Sequence, residues 1–151
     1  MLAIQITKRR DGGSVLRCTR ADGSVTWQKQ EGPNAACFPV HDLTHFAVES
    51  TLGFNQAFFG LIASGWDIDD TTGKGPRRRL PEEAGQVERI VGLLDYERAS
   101  GAILTASEFN EFAGARLSDD QLQAVRSRCA ELFWRWRSLA PGTTLELHWK
   151  S

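Results

Sequence analysis

The sequence predicts an α+β fold. Three N-terminal strands and one C-terminal strand would form an antiparallel sheet, with about four to five helices packed on one face. Three observations lead there. Apolar residues alternate with polar ones through the first thirty positions, they recur at spacings of three and four through the middle, and alternation returns at the end. A chain of 151 residues has the size of one domain, spanning 1–151. With 41% hydrophobic and 25% charged residues it has globular rather than disordered composition.

Leu2, Ile4 and Ile6 alternate with Ala3, Gln5 and Thr7, and Arg10-Asp11-Gly12-Gly13 is a turn signal. Leu16 and Cys18 continue the alternation. Asp22-Gly23 then predicts a two-residue type I′ hairpin, in which both central positions need positive φ. Val25 and Trp27 are expected on the apolar face of the third strand, with Thr26 and Gln28 between them. Residues 30–40 read as a connector, 41–52 as a helix and 55–64 as a second, shorter helix after Gly53. Trp66 to Arg79 reads as a loop rich in Asp and Gly.

Pro81 suits the first turn of the next helix, with Glu82 and Glu83 near its positive end. Val87, Ile90, Val91 and Leu94 give that helix an apolar stripe, and Gly101 ends it. Thr105 with Glu108, and Ser118 with Gln121, have capping-box spacing. The last helix carries Leu122, Val125, Cys129, Leu132, Trp136 and Leu139 as one stripe, and Pro141-Gly142 stops it. Leu145, Leu147 and Trp149 mark the final strand, which would cover a sheet edge that is otherwise a liability.

The same features bound the function. No apolar run is long enough to span a membrane, and Met1 to Arg10 lacks a signal-peptide core. Cys18, Cys37 and Cys129 are odd in number, widely spaced and without a CxxC pair, so free thiols in a cytoplasmic protein are expected. A formal net charge of −1 excludes a generally basic nucleic-acid coat. The charge is uneven, however. Residues 41–75 hold one Lys against five Asp and Glu, a net of −4.

That acidic segment contains His41-Asp42-Leu43-Thr44-His45-Phe46-Ala47-Val48-Glu49. On a helix, with His41 at zero, His45 falls at about 40°, Glu49 at about 80° and Asp42 at about 100°. The rest of the helix is apolar nearly all round, which predicts burial. A buried ionisable stripe must be paired, hydrogen-bonded or metal-bound. Histidines at i and i+4 can hold one divalent ion of zinc type, which makes His41 and His45 candidate metal ligands, with Asp42 and Glu49 as candidate acid/base groups. HDxxH differs from the zincin HExxH only by Asp for Glu. Glu49 lies about 12 Å along the axis from His41, too far to share an ion with it easily. A third ligand is sought among Asp67, Asp69 and Asp70, since His148 falls on the polar face of its strand. The competing reading is a closed polar network, with His45 as an imidazolium between Asp42 and Glu49.

Other signals are weaker. Asp67 to Gly73 has the start of a calcium loop, but Arg78 stands where the closing Glu belongs. Lys74 with Arg77, Arg78 and Arg79 is the densest basic run, a minor nucleic-acid candidate beside its simpler reading as a solvated loop. In Phe133-Trp134-Arg135-Trp136-Arg137, Trp136 belongs to the core stripe and Trp134 falls off it. Phe58-Phe59-Gly60-Leu61-Ile62 reads as core, with Gly60 permitting a close approach.

The run His41 to Glu49, followed by Phe58-Phe59-Gly60-Leu61-Ile62-Ala63-Ser64-Gly65, resembles a small family of uncharacterised bacterial proteins that pair an HDLxHFxVE helix with an FFGLIASG-type segment. The resemblance implies no activity, cofactor or partner. The residues themselves support a small-ligand or protein-binding module with a semi-buried His/Asp/Glu site. The alternative is a metal- or acid/base-dependent hydrolase centred on the same helix.

Overall fold

A computed structural model describes residues 1–75 and 79–150. Arg77 and Arg78 of the basic run lie outside the described residues. Strands β1 (Leu2–Lys8), β2 (Ser14–Arg20), β3 (Val25–Gln30) and β4 (Thr144–Trp149) form one antiparallel sheet in the order β3-β2-β1-β4. The C-terminal strand covers β1, as its alternation predicts, and leaves β3 as one edge. The fold is α+β.

The Asp22-Gly23 hairpin closes differently from the expected type I′ turn, and the hairpin at Gly12 closes in the same way. Gly23 has φ 87° and Gly12 has φ 90°, whereas among the described residues none other than glycine has positive φ. Gly23 N–H bonds to Arg20 O, and Arg20 N–H to Ser24 O, both at 2.9 Å. That is a three-residue type I turn closed by a glycine bulge. Asp22 keeps negative φ because only the bulge glycine of such a loop is left-handed, and the Asp22 carboxylate accepts from Ser24 N–H at 2.9 Å.

Leu2, Ile4, Ile6, Leu16, Cys18, Leu145, Leu147 and Trp149 face the helices and are buried. Burial of each large side chain contributes about 1.5–3 kcal/mol. Strand β3 departs from expectation. Its pairing sets Cys18 opposite Thr26 and Arg17 opposite Trp27. Thr26 and Gln30 therefore face inward, and Trp27 is 63% exposed. One polar face of one strand is thus directed at the helical layer.

Among the described residues six helices follow: α1 (Cys37–Leu52), α2 (Phe58–Ala63), α3 (Ile68–Thr71), α4 (Glu82–Ser100), α5 (Ala106–Ala113) and α6 (Asp119–Arg137). Helix α1 begins four residues before the expected start. Pro39 sits in its first turn, where its missing N–H costs nothing. The extra turn places His41 inside the helix rather than at its end. The single turn α3 lies in the segment expected to be loop, where Asp67 and Asp70 form a capping box. The expected capping boxes of α5 and α6 are both present, as are the glycine stops at Gly53 and Gly101. Helix α1 is central, packing against α2, α4, α6 and β2. The α6 stripe from Leu122 to Trp136 is buried, and Trp134 is exposed. Lys8 joins the layers: its Nζ donates to the carbonyls of Trp136 and Leu139 at 2.6 and 2.9 Å and lies 4.8 Å from the Trp136 ring.

Candidate functional site

The ionisable stripe of α1 meets α4, and the pairing expected for His45 between Asp42 and Glu49 is replaced by one between Glu49 and Glu88, while Asp42 turns to Gln30. His45 is 2% exposed. Its Nδ1 lies 3.1 Å from Glu49 Oε2, and its Nε2 lies 2.9 Å from Glu88 Oε1. With a carboxylate against each nitrogen, both nitrogens donate and the ring is an imidazolium. Burial pulls its pKa down, but the hydrogen bonds and charges of Glu49 and Glu88 override burial and push it up to about 10. The His45 hydrogen bond correspondingly holds Glu88 below its ordinary value.

Glu49 is fully buried. Burial pushes its carboxyl up, and His45 opposes this. Its hydrogen bonds are those of an ionised carboxylate. Oε2 faces His45, while Oε1 accepts from Phe59 N–H at 2.9 Å and Gly60 N–H at 3.2 Å. Gly60 makes this possible. A Cβ there would collide with the Asn55 carbonyl, so any larger residue would move these amides. Glu49 stands behind His45 and fixes its ring, away from the cleft described below.

One turn before His45, His41 Nδ1 donates to Asp95 Oδ2 at 2.8 Å. Burial pushes Asp95 up, but His41 and Arg98 outweigh it and hold the carboxyl below its ordinary value. The two imidazoles meet edge to face, 4.9 Å between centres, and Phe58 packs 5.3 Å from His45. The parallel is direct. Each histidine turns Nδ1 to a carboxylate, leaving Nε2 as its outward nitrogen. A carboxylate on the second nitrogen is the arrangement that orients metal-binding histidines and makes them more basic.

One ligand atom each from His41, His45 and Glu88 lies within 4.8 Å of the others, so this group could hold a metal ion. A zinc ion with bonds of about 2.0–2.2 Å needs these atoms somewhat closer together, which rotation of the half-exposed Glu88 can supply. The third member of the group is therefore Glu88, not an aspartate of 67–70. Asp67 instead pairs with Arg20 at 2.9 Å, and Asp70 Oδ2 accepts from Asp67 N–H at 2.9 Å.

A cleft of about 630 Å³ opens over His41, His45 and Glu88. Asp42 lines it and is buried among its neighbours, held through Oδ2 by Gln30 Nε2 at 2.8 Å. Gln30 is fixed in turn by Ser14 Oγ at 2.6 Å. Burial pushes Asp42 up to about 6 against the Gln30 hydrogen bond and the charges of both histidines. Phe38, Phe58, Leu61 and Leu80 form apolar walls. The inward polar face of β3 is thus explained. Gln28 and Gln30 border the cleft, and Thr26 Oγ1 accepts from Ile68 N–H at 3.1 Å.

Cys37 is exposed on the first turn of α1 and does not line the cleft. Cys18 and Cys129 are buried, and burial pushes each thiol up to about 12. No helix among the described residues is long and apolar enough to cross a membrane.

The sequence missed Glu88, Asp95 and Gln30. Glu88 and Asp95 are seven residues apart, about 20° on a helical wheel, beside the Val87–Leu94 stripe. That acidic line bordering an apolar stripe was the available signal. Gln30 had none, because its direction follows from strand pairing. No known protein family, curated protein or solved structure matches the chain.

Proposed function

We propose that this protein is a ligand-binding module built on a divalent metal of zinc type, held by His41, His45 and Glu88 at the floor of the cleft. One observation carries the reading: both histidines are oriented from behind by a carboxylate, and both border one open cleft with Glu88 opposite. Two imidazoles and one carboxylate leave a coordination position for a ligand from the cleft. Glu49 and Asp95 serve as positioning residues. Binding displaces the proton on His45 Nε2 and substitutes the metal for the His45–Glu88 ion pair.

The test is calorimetric titration of metal-free protein with zinc chloride in buffers of different ionisation enthalpy. One zinc per chain with proton release is expected, and His45→Ala or Glu88→Gln should abolish uptake. No uptake at micromolar zinc would overturn the reading.

Asp42 favours a second reading, a metal-dependent hydrolase. It follows His41 directly, lines the cleft and is fixed by Gln30, the place and restraint that suit a general base acting on a metal-bound water. Turnover of ester or amide substrates by the zinc-loaded protein, lost in Asp42→Asn with zinc uptake retained, would establish it.

A further inference from the structure

The cleft has a wall that a compact ligand would leave unused. Residues 28–31, the end of β3 and the position after it, line it consecutively, and β3 is an edge strand. The bond from Arg20 N–H to Ser24 O fixes which backbone groups of β3 point where. From that closing pair, the antiparallel alternation turns Thr26, Gln28 and Gln30 toward β2. Val25, Trp27 and Lys29 turn their N–H and C=O groups to the open side. Among the described residues, no hydrogen bond reaches the backbone of Trp27 or Lys29 from that side. Helix α3 meets β3 through the inward Thr26 side chain, whose Oγ1 accepts from Ile68 N–H, and the Lys29 end lines the cleft.

We propose that the cleft's occupant is an extended peptide that adds to the free edge of β3 at Lys29 and crosses the floor formed by His41, His45 and Glu88. The inference rests on the cleft being a ligand site, as above. An added strand would lie about 4.8 Å from β3 and supply the alternating donors and acceptors that the edge lacks. Its side chains alternate in direction, so every second one enters the cleft. There it meets Phe38, Phe58, Leu61 and Leu80. Phe38 and Leu80 are each 40% exposed without an occupant, and an apolar peptide side chain would cover them. Large apolar residues are therefore favoured at alternate peptide positions.

The experiment compares four probes by calorimetry. They are acetyl-Leu-Val-Leu-Val-amide, two copies of it N-methylated at adjacent central amides, and acetohydroxamate as a metal-directed control on zinc-loaded protein. The parent peptide should bind, and one of the two methylated copies should bind at least tenfold more weakly. A strand shows only every second N–H to its neighbour. Lys29→Pro removes an outward N–H without breaking the ladder to β2. It should weaken the peptide at least tenfold and leave acetohydroxamate unchanged.

Absence of peptide binding, or equal binding of all three peptides, would overturn the proposal. If Lys29→Pro does not fold, the methylated peptides on the unaltered chain decide. If zinc is not taken up, the metal reading fails alone, and the peptide series on metal-free protein still tests the edge. A dimer in sedimentation that Lys29→Pro dissolves would assign the edge to a second copy and overturn the peptide.

Discussion

Two charged networks lie in the helical layer, and they are built in opposite ways. In one, Arg126 Nε and Nη2 fork onto the two oxygens of Glu97 at 3.1 and 2.5 Å. Arg126 also donates to Leu104 O, and Glu97 accepts from Leu104 N–H. The network ties the chain after α4 to α6 and closes on its own backbone. In the other, His45 bridges Glu49 and Glu88, and His41 leans on Asp95, with a cleft on the open side. An arginine is a permanent cation with a fixed fork, suited to a join. A histidine can yield its proton and offer a lone pair, suited to exchange. Burial with partners is common to both; a titratable cation beside an open cleft separates them.

Substitutions should separate the two networks further. The largest effect belongs to the metal. His45→Ala should weaken zinc about 1,000-fold or more, roughly 4 kcal/mol, by removing a ligand and its orientation, read by competition with a chelating dye. The mirror experiment is Glu97→Ala. Stranding Arg126 should cost about 3 kcal/mol in urea unfolding, with zinc affinity unchanged. A coupled loss of zinc there would erase the distinction.

Gly60→Ala is next, at about 2 kcal/mol of stability. The collision with Asn55 also shifts the amides that hold Glu49, so zinc affinity should fall with it. Glu49→Gln keeps the shape but weakens the carboxylate behind His45. Zinc should bind about 10–100-fold more weakly, and calorimetry finding equal affinity would deny Glu49 its positioning role.

The mildest effect is that of pH. His45 titrates near 6.5 when unfolded and is pushed up to about 10 in the fold. Its contribution to stability is complete below about 6.5 and is lost as pH rises toward about 10. Metal-free protein should therefore melt progressively lower across that window. Zinc-loaded protein, which lacks that proton, should not show this loss. Zinc affinity should rise about tenfold per pH unit between pH 6 and 8, as one proton is displaced.

The sequence carried most of the sheet and helices, because alternation, capping boxes and glycine stops are local signals. It carried half of the site for the same reason: His41, Asp42, His45 and Glu49 share one sector of one helix. Glu88 and Asp95 come from another helix, and only packing decides which histidine each one meets. Strand β3 misled by pattern, since Trp27 looks like a core residue. The register set by the glycine bulge at Gly23 turns it outward and turns Gln28 and Gln30 to the cleft. The same register turns the backbone of Lys29 to the open edge.

Cobalt(II) gives the most direct test of the central claim, because its visible spectrum reports coordination geometry. Titrated into metal-free protein at pH 7.5, it should give the intense d–d bands of a four-coordinate nitrogen and oxygen site. They should saturate at one equivalent, bleach with zinc and be absent in Glu88→Gln. Only the weak bands of octahedral aqueous cobalt, or an unchanged spectrum in Glu88→Gln, would contradict a metal centre formed by His41, His45 and Glu88.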